Sequence, residues 1–243
     1  MAEAVAEKSI PEFKRGVKAG IGIGIGYFPV ALTFGLLAKA TDLNVMETLL
    51  MSMIVFAGAA QYIALSLISL GTGMFEIILT TFIVNIRHFL LSASLNEKAA
   101  DDHPAFKAVY AFGITDETFS VAAMRDGTVT AGYMFGLNLV AYSSWVVFSG
   151  IGHVLGAGLP QVLQESMSVA LYAMFIGLLV PSLKKNVKIV FLAVLAAAFN
   201  TIFTMSEFLS SGWSIVVSTL LAAILTELIE TGKRLRGGRA DGQ

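Results

Sequence analysis

The chain has 243 residues, of which 56% are hydrophobic and only 14% charged, against roughly 45–50% and 25% in soluble domains. With a mean hydropathy of +0.77, so thin a charged exterior excludes a water-soluble globule and assigns the chain to lipid. A net charge of −1 offers no field for nucleic acid, and the absence of cysteine excludes disulfides and thiolate chemistry.

In chain order, residues 1–18 read as a polar tail ending in Lys14, Arg15 and Lys18. The charge-free run Ala19–Ala38 follows, closed by Ala38-Lys39-Ala40 like a signal-peptide cleavage site. It is nearer 20 residues than the 7–15 of a signal peptide, it holds Pro29 and more spans follow, so it is expected to be retained. Gly16, Gly20, Gly22, Gly24, Gly26 and Gly35 crowd this segment. They admit two readings: close helix packing through G-x-x-x-G pairs, or a helix broken near Pro29 whose freed backbone lines a solute site.

Further charge-free stretches are Thr48–Phe75, Gly127–Gln164, Ser166–Leu183, Ile189–Ser206 and Phe208–Thr226. A span needs about 20 apolar residues. Thr48–Phe75 holds one span and the start of another, which continues through Phe89–Leu95, and Gly127–Gln164 breaks at Gly156-Ala157-Gly158-Leu159-Pro160. The expected fold is therefore all-α and polytopic, with about seven spans and six to eight admissible. Residues 19–232 form the transmembrane domain, and 233–243 form a basic tail expected to be disordered. The basic regions around Lys18, Lys184 and Lys233 all favour the cytoplasm, so spans between them must be even in number. Five clear segments between Lys18 and Lys184 break that rule. Either Phe106–Met124 also crosses, or a segment is re-entrant or broken. A weak internal repeat at an offset of 116 residues pairs Val55–Gln61 with Leu171–Gly177, giving candidate repeats of about 20–95 and 130–205.

Polar residues at membrane depth are the candidate chemistry. Gln61, set among small residues beside Gly58, brings an amide that must face protein or a cavity. Asn85-Ile86-Arg87-His88 interrupts an apolar run, and Asn85 and His88 share a helix face. It marks either a functional site or a membrane edge with Arg87 snorkelling. In Thr115-Asp116-Glu117-Thr118 the two carboxylates point about 100° apart, which excludes a ready acid–base pair. One of them meets Arg87 or His88 or takes a proton, or the segment is a solvated helix cap. Trp145 and Trp213 read as interface anchors. His153, Asn138 and Asn200 read as packing residues. His88, His103 and His153 are too scattered to hold a metal, and no hydrolase or nucleotide motif is present, so neither an enzyme nor a cofactor is expected.

VFAGAAQ at 55–61, NIRH followed by LLSASL at 85–95, TDE at 115–117 and FIGLLVPSL at 175–183 resemble, in order and spacing, the AzlC-type branched-chain amino acid exporter family. The resemblance runs from about Gly16 to Glu230. It implies the large permease subunit of a two-component exporter of leucine, isoleucine and valine, extended to methionine. It also implies a small AzlD-type membrane partner, residence in the cytoplasmic membrane with both tails inside, and coupling to an ion gradient, the proton gradient above all. Under that reading Pro29, Gly58, Gln61, Asn85 and Arg87 bind substrate, while His88, Asp116 and Glu117 carry the coupling proton. The acidic loop at Asp101-Asp102-His103 departs from the more basic loop of relatives.

Overall fold

The computed structural model describes residues 11–156, 187–206 and 209–240, together with Ile176, Val180, Leu183 and Lys184. Among the described residues the ordered elements are helices: α1 (Glu12–Ala40), α2 (Val45–Ile54), α3 (Gly58–Ser69), α4 (Met74–Asn85), α5 (Arg87–Asn96), α6 (Pro104–Ala111), α7 (Asp116–Met124), α8 (Ala131–Leu155), α9 (Val187–Ser206) and α10 (Ser211–Ala240). Five stretches are long and apolar enough to cross a membrane, namely α1, α4 with α5, α8, α9 and Gly212–Thr231 of α10. α2 and α3 are shorter apolar helices. The chain is a polytopic helical membrane protein.

It divides into two compact units, the first built from residues 11–65 and 84–156 and the second from 66–83 and the described residues beyond 171. In the second unit α9 and α10 run antiparallel, because Lys188 near the start of α9 pairs with Glu227 and Glu230 late in α10 at 2.8 and 2.5 Å. Glu76 of α4 caps the N-terminus of α10, accepting from Trp213 N–H at 2.9 Å and from the Ser210 hydroxyl.

The core of the first unit is the pair α1 and α8, which pack parallel. Their register is legible in matched contacts: Ser144 Oγ donates to Gly24 O at 2.8 Å, and the Phe28 and Phe148 rings meet edge-on at 4.7 Å. Small residues make the approach possible. A Cβ added at Gly16, Gly35, Gly136 or Gly152 would collide with the backbone of the facing helix, the arrangement expected where lipid supplies no hydrophobic drive and close packing must. Gly20 and Gly24 also face α8, whereas Gly22 and Gly26 have nothing near them. The packing reading therefore describes one of the two G-x-x-x-G pairs.

Three sequence expectations change here. α1 starts at Glu12, inside the expected tail, and α10 runs on to Ala240. The expected break at Pro29 is absent: α1 is continuous through it. Pro29 is exposed while Tyr27 and Val30 are buried, so its ring disturbs no packing. The contact with α8 along the whole helix outweighs an intrinsic cost of about 3 kcal/mol.

The breaks lie elsewhere. α2 runs back along α8 from Thr48, whose hydroxyl is 2.8 Å from His153 Nδ1, to Met53, whose carbonyl accepts from Tyr142 OH at 3.0 Å. At Val55–Ala57 the chain reverses. Gln61 Nε2 then reaches Ser52 Oγ at 3.3 Å, although nine residues of straight helix would separate them by about 13 Å. Tyr62 OH, one residue further, reaches Val30 O at 2.6 Å. The second hairpin mirrors the first. Asp102 holds Ala131 N–H at 2.6 Å, α6 climbs α8 through Phe106–Phe135 and Tyr110–Phe135 ring contacts, and the Phe112 ring reaches Tyr142. α7 then returns, so that Arg125 pairs with Glu12 at 2.6 Å. Lys98 closes its end by donating to Ala123 O and Arg125 O at 2.7 and 2.6 Å. Phe106–Met124 thus folds as a helical hairpin along α8 and α1 instead of one continuous helix, and so does the pair α2–α3. The remaining apolar run Ser166–Leu183, most of the 116-residue repeat partner and most of FIGLLVPSL lie outside the described residues.

Candidate functional site: two hairpin tips halfway along the helix pair

The hairpins enter from opposite ends of the α1–α8 pair, and their tips meet near its middle. Phe56 and Phe112, one at each tip, stand 6.2 Å apart, and both pack on Tyr142. Tyr27 of α1 touches Phe56 and lies edge-on to Trp145 at 5.1 Å. Trp145 is 2% exposed, a buried core residue and not the interface anchor expected of it. Trp213 is partly exposed.

At the first tip the reversal requires Phe56 at φ +40°, a left-handed conformation that costs an L-residue on the order of 1–3 kcal/mol. Gln61 holds this turn. Its Oε1 accepts from Ala57 N–H at 3.2 Å and from Trp145 Nε1–H at 3.0 Å, while its Nε2 donates to Ser52. The amide thus satisfies an orphan donor at the N-terminus of α3 and ties the tip to α8. Gly58 lies under the Trp145 indole, where a Cβ would come within 2.7 Å of the ring.

At the second tip Thr115 caps α7. Its hydroxyl accepts from Thr118 N–H at 3.3 Å, and Thr118 Oγ1 accepts from Thr115 N–H at 2.8 Å, a reciprocal capping box. The next two residues diverge, as their helical spacing requires. Asp116 Oδ2 meets Arg87 Nη2 at 2.9 Å, joining α7 to the first turn of α5. Glu117 Oε2 accepts from Tyr27 OH at 2.7 Å, and Thr115 Oγ1 lies 2.9 Å from the same phenol oxygen. With the tyrosine proton on Glu117, Thr115 is the donor in that second bond. A polar chain therefore runs Ser52–Gln61–Trp145, passes by ring contact to Tyr27, and ends at Glu117 and Thr115.

Asn85 and Arg87 flank the break at Ile86 between α4 and α5, and Asn85 Oδ1 and Arg87 Nε are buried atoms with no hydrogen-bond partner among the described residues. These are one free acceptor and one free donor, the complement of an ammonium and a carboxylate. Of the residues picked from sequence, the structure joins Gly58 and Gln61 at the first tip, and Asp116, Glu117 and Arg87 at the second. Pro29 lies on the opposite face of α1 from Tyr27. His88 is half-buried beside Arg87. His153 and Asn138 are packing residues: the His153 ring meets Thr48, and Asn138 Nδ2 donates to Tyr110 O at 2.8 Å. No cluster of three metal-ligating side chains occurs among the described residues. Sequence reasoning missed Tyr27 and passed over Trp145 and Tyr142 as catalytic or binding neighbours. The available signal was a polar-tipped aromatic deep inside an apolar span, where its hydroxyl or indole N–H must find a partner.

Residues 22–159 match the family described as AzlC protein. The chain is 30% identical over 222 residues to the inner membrane protein YgaZ of Escherichia coli, covering 87% of this chain and 90% of that protein. A membrane protein of Archaeoglobus fulgidus is 31% identical over 71% of this chain and 76% of its own length. The branched-chain amino acid transport protein AzlC of Bacillus subtilis is 24% identical over 72% of this chain and 70% of its own length. No solved structure matches.

Proposed function

This chain belongs to the AzlC family, a membrane transport family, and we propose on that premise that it is the large subunit of a secondary transporter exporting leucine, isoleucine and valine across the cytoplasmic membrane. Methionine falls within the same reading, and the partner is a small AzlD-type membrane subunit. The observation that carries the proposal is the meeting of two oppositely inserted hairpin tips beside free polar atoms. Broken helices that end at mid-depth are how secondary transporters expose backbone and side-chain groups to solute without exposing them to lipid.

The chemistry suits a small apolar zwitterion. Asn85 Oδ1 accepts from the ammonium, and the Arg87 guanidinium takes the carboxylate. The branched side chain lies against the rings of Phe56, Phe112 and Tyr142. Such an apolar wall separates aliphatic side chains by only about 1–3 kcal/mol per methylene, so specificity among the three branched-chain residues is broad. Gln61 and Gly58 act on this site by holding the first tip in place. Export is driven by the proton gradient, with Asp116, Glu117 and His88 as the titratable groups nearby. The N-terminal end of α1, with Lys14, Arg15 and Lys18, faces the cytoplasm.

The test is efflux of labelled leucine from cells fed a leucine-containing dipeptide, with and without this chain and its small partner. The expected result is faster efflux that collapses with a protonophore. Unchanged efflux, with both subunits present in the membrane, would overturn the substrate assignment.

A further inference from the structure

We infer that the first unit contains an entry vestibule for carboxylate-bearing solutes between α1 and α7, closed at its inner end by the hydrogen bond from Tyr27 to Glu117. The inference rests on the transport reading above and adds to it a route and a gate. A cavity of about 670 Å³ opens at the end of the unit where α1 and α8 begin, lined by Arg15, Lys18 and Ala19 of α1, by Val121 and Met124 of α7, by Arg125 and Asp126 just after it, and by Tyr133 of α8. Its volume falls in the range of small-molecule sites.

Charged side chains at this cavity are too costly to face hydrocarbon, so the space holds water. Its mouth carries three cations, Arg15, Lys18 and Arg125, against the carboxylates of Asp126 and Glu12. Arg125 is fixed by two bonds to Glu12, at 2.6 and 3.0 Å, and lies 4.3 Å over the Tyr133 ring. Glu12 is shared with Arg15 at 3.0 Å. The exposed Lys18 adds positive charge, which draws the carboxylate end of a zwitterion.

Helical spacing carries the cavity inward. Glu117, Val121 and Arg125 recur every four residues on one face of α7 and its end, and Tyr27, Ile23, Ala19 and Arg15 do so on α1. The route therefore passes from a charged mouth through an apolar neck of Ile23 and Val121 to the Tyr27–Glu117 bond. Beyond that bond stands the Phe56 ring of the first tip. The Tyr27 hydroxyl ties the inner end of α7 to α1 through Glu117 and Thr115, so losing that hydroxyl opens the neck to the tips while Arg125–Glu12 still holds the outer end. Asp116 and Arg87, on the same turn of α7 and on α5, hold the other side of that helix.

The absence of native cysteine makes the test clean, since each introduced thiol is the only one in this chain and labelling is read on this chain alone. With the partner subunit co-expressed, Val121→Cys is compared with Ile25→Cys, which sits 70% exposed on the outer face of α1. The probe is a membrane-impermeant cationic methanethiosulfonate, applied to inside-out and right-side-out vesicles. Val121→Cys should react about tenfold faster than Ile25→Cys, from the cytoplasmic face alone, because a thiolate must meet water to react. Ala57→Cys, 3% exposed in the native chain, should be unreactive from that face and become reactive when Tyr27→Phe removes the hydroxyl and keeps the ring. Equal rates at Val121→Cys and Ile25→Cys would overturn the vestibule, and an unreactive Ala57→Cys in the Tyr27→Phe chain would overturn the gate. Leucine should slow labelling of Val121→Cys. Fast labelling that leucine leaves unchanged would uphold the vestibule and overturn the leucine assignment instead.

Discussion

The two hairpins use one backbone device with opposite chemistry. Each reverses near mid-depth, carries a phenylalanine at its turn, and places a side-chain oxygen five residues later on an aromatic of the central pair. Gln61 of the first takes the Trp145 indole N–H, and Glu117 of the second takes the Tyr27 hydroxyl. The first is neutral and sealed: Thr48, Ser52 and Gln61 are each 0% exposed. The second is charged and less buried, with Asp116 and Arg87 side chains 24% and 36% exposed. A sealed neutral tip, fully bonded, resists opening, because every bond broken strands a buried polar group. A tip held by partly exposed charges gives up such a pair at smaller cost. On the proposed function the first hairpin is the fixed wall of the site and the second is its moving part.

Substitutions sharpen that contrast. Gln61→Ala should have the largest effect on stability, about 2–4 kcal/mol, since it leaves the Trp145 and Ala57 donors buried without an acceptor. The amount of folded protein in the membrane should drop along with transport. Gly58→Leu forces a side chain into the Trp145 indole and should cost about 1–3 kcal/mol, read as a lower unfolding temperature in detergent. Asp116→Asn removes a partly exposed ion pair and should cost about 1 kcal/mol or less. Its signature is functional: efflux falls while abundance holds. Pro29→Ala should do least, leaving efflux unchanged and stability equal or slightly higher, because an exposed helical proline gives way to a better helix former. Were Asp116→Asn to unfold the protein as Gln61→Ala does, the distinction between the tips would fail.

Much of this was legible in the sequence, but not its geometry. Gln61, Asn85-Arg87 and Asp116-Glu117 stood out because polar groups in apolar runs demand partners. The family motifs put them in order. The charge count admitted a re-entrant or broken segment but did not locate it, because apolar segments of span length read as crossings and Val55-Phe56-Ala57 contains none of the usual turn residues. That reversal is imposed by tertiary bonds from Gln61 to Trp145 and Ser52, which no local pattern displays. Pro29 misled for the converse reason: propensity favoured a break that packing against α8 overrides. Trp145 was read as a membrane-edge anchor, although it falls near the middle of Ala131–Leu155, where an indole N–H needs a buried acceptor.

The central claim, that the charged tip gates and couples transport while the neutral one does not, is tested most directly by leucine flux through proteoliposomes holding Glu117→Gln with the partner subunit. Glutamine keeps the oxygen that accepts from Tyr27 and loses the titratable proton. The account predicts that proton-driven net efflux falls at least about tenfold while one-for-one leucine exchange stays within about twofold of the unaltered chain. Equal loss of both modes, or gradient-driven efflux undiminished, would contradict it.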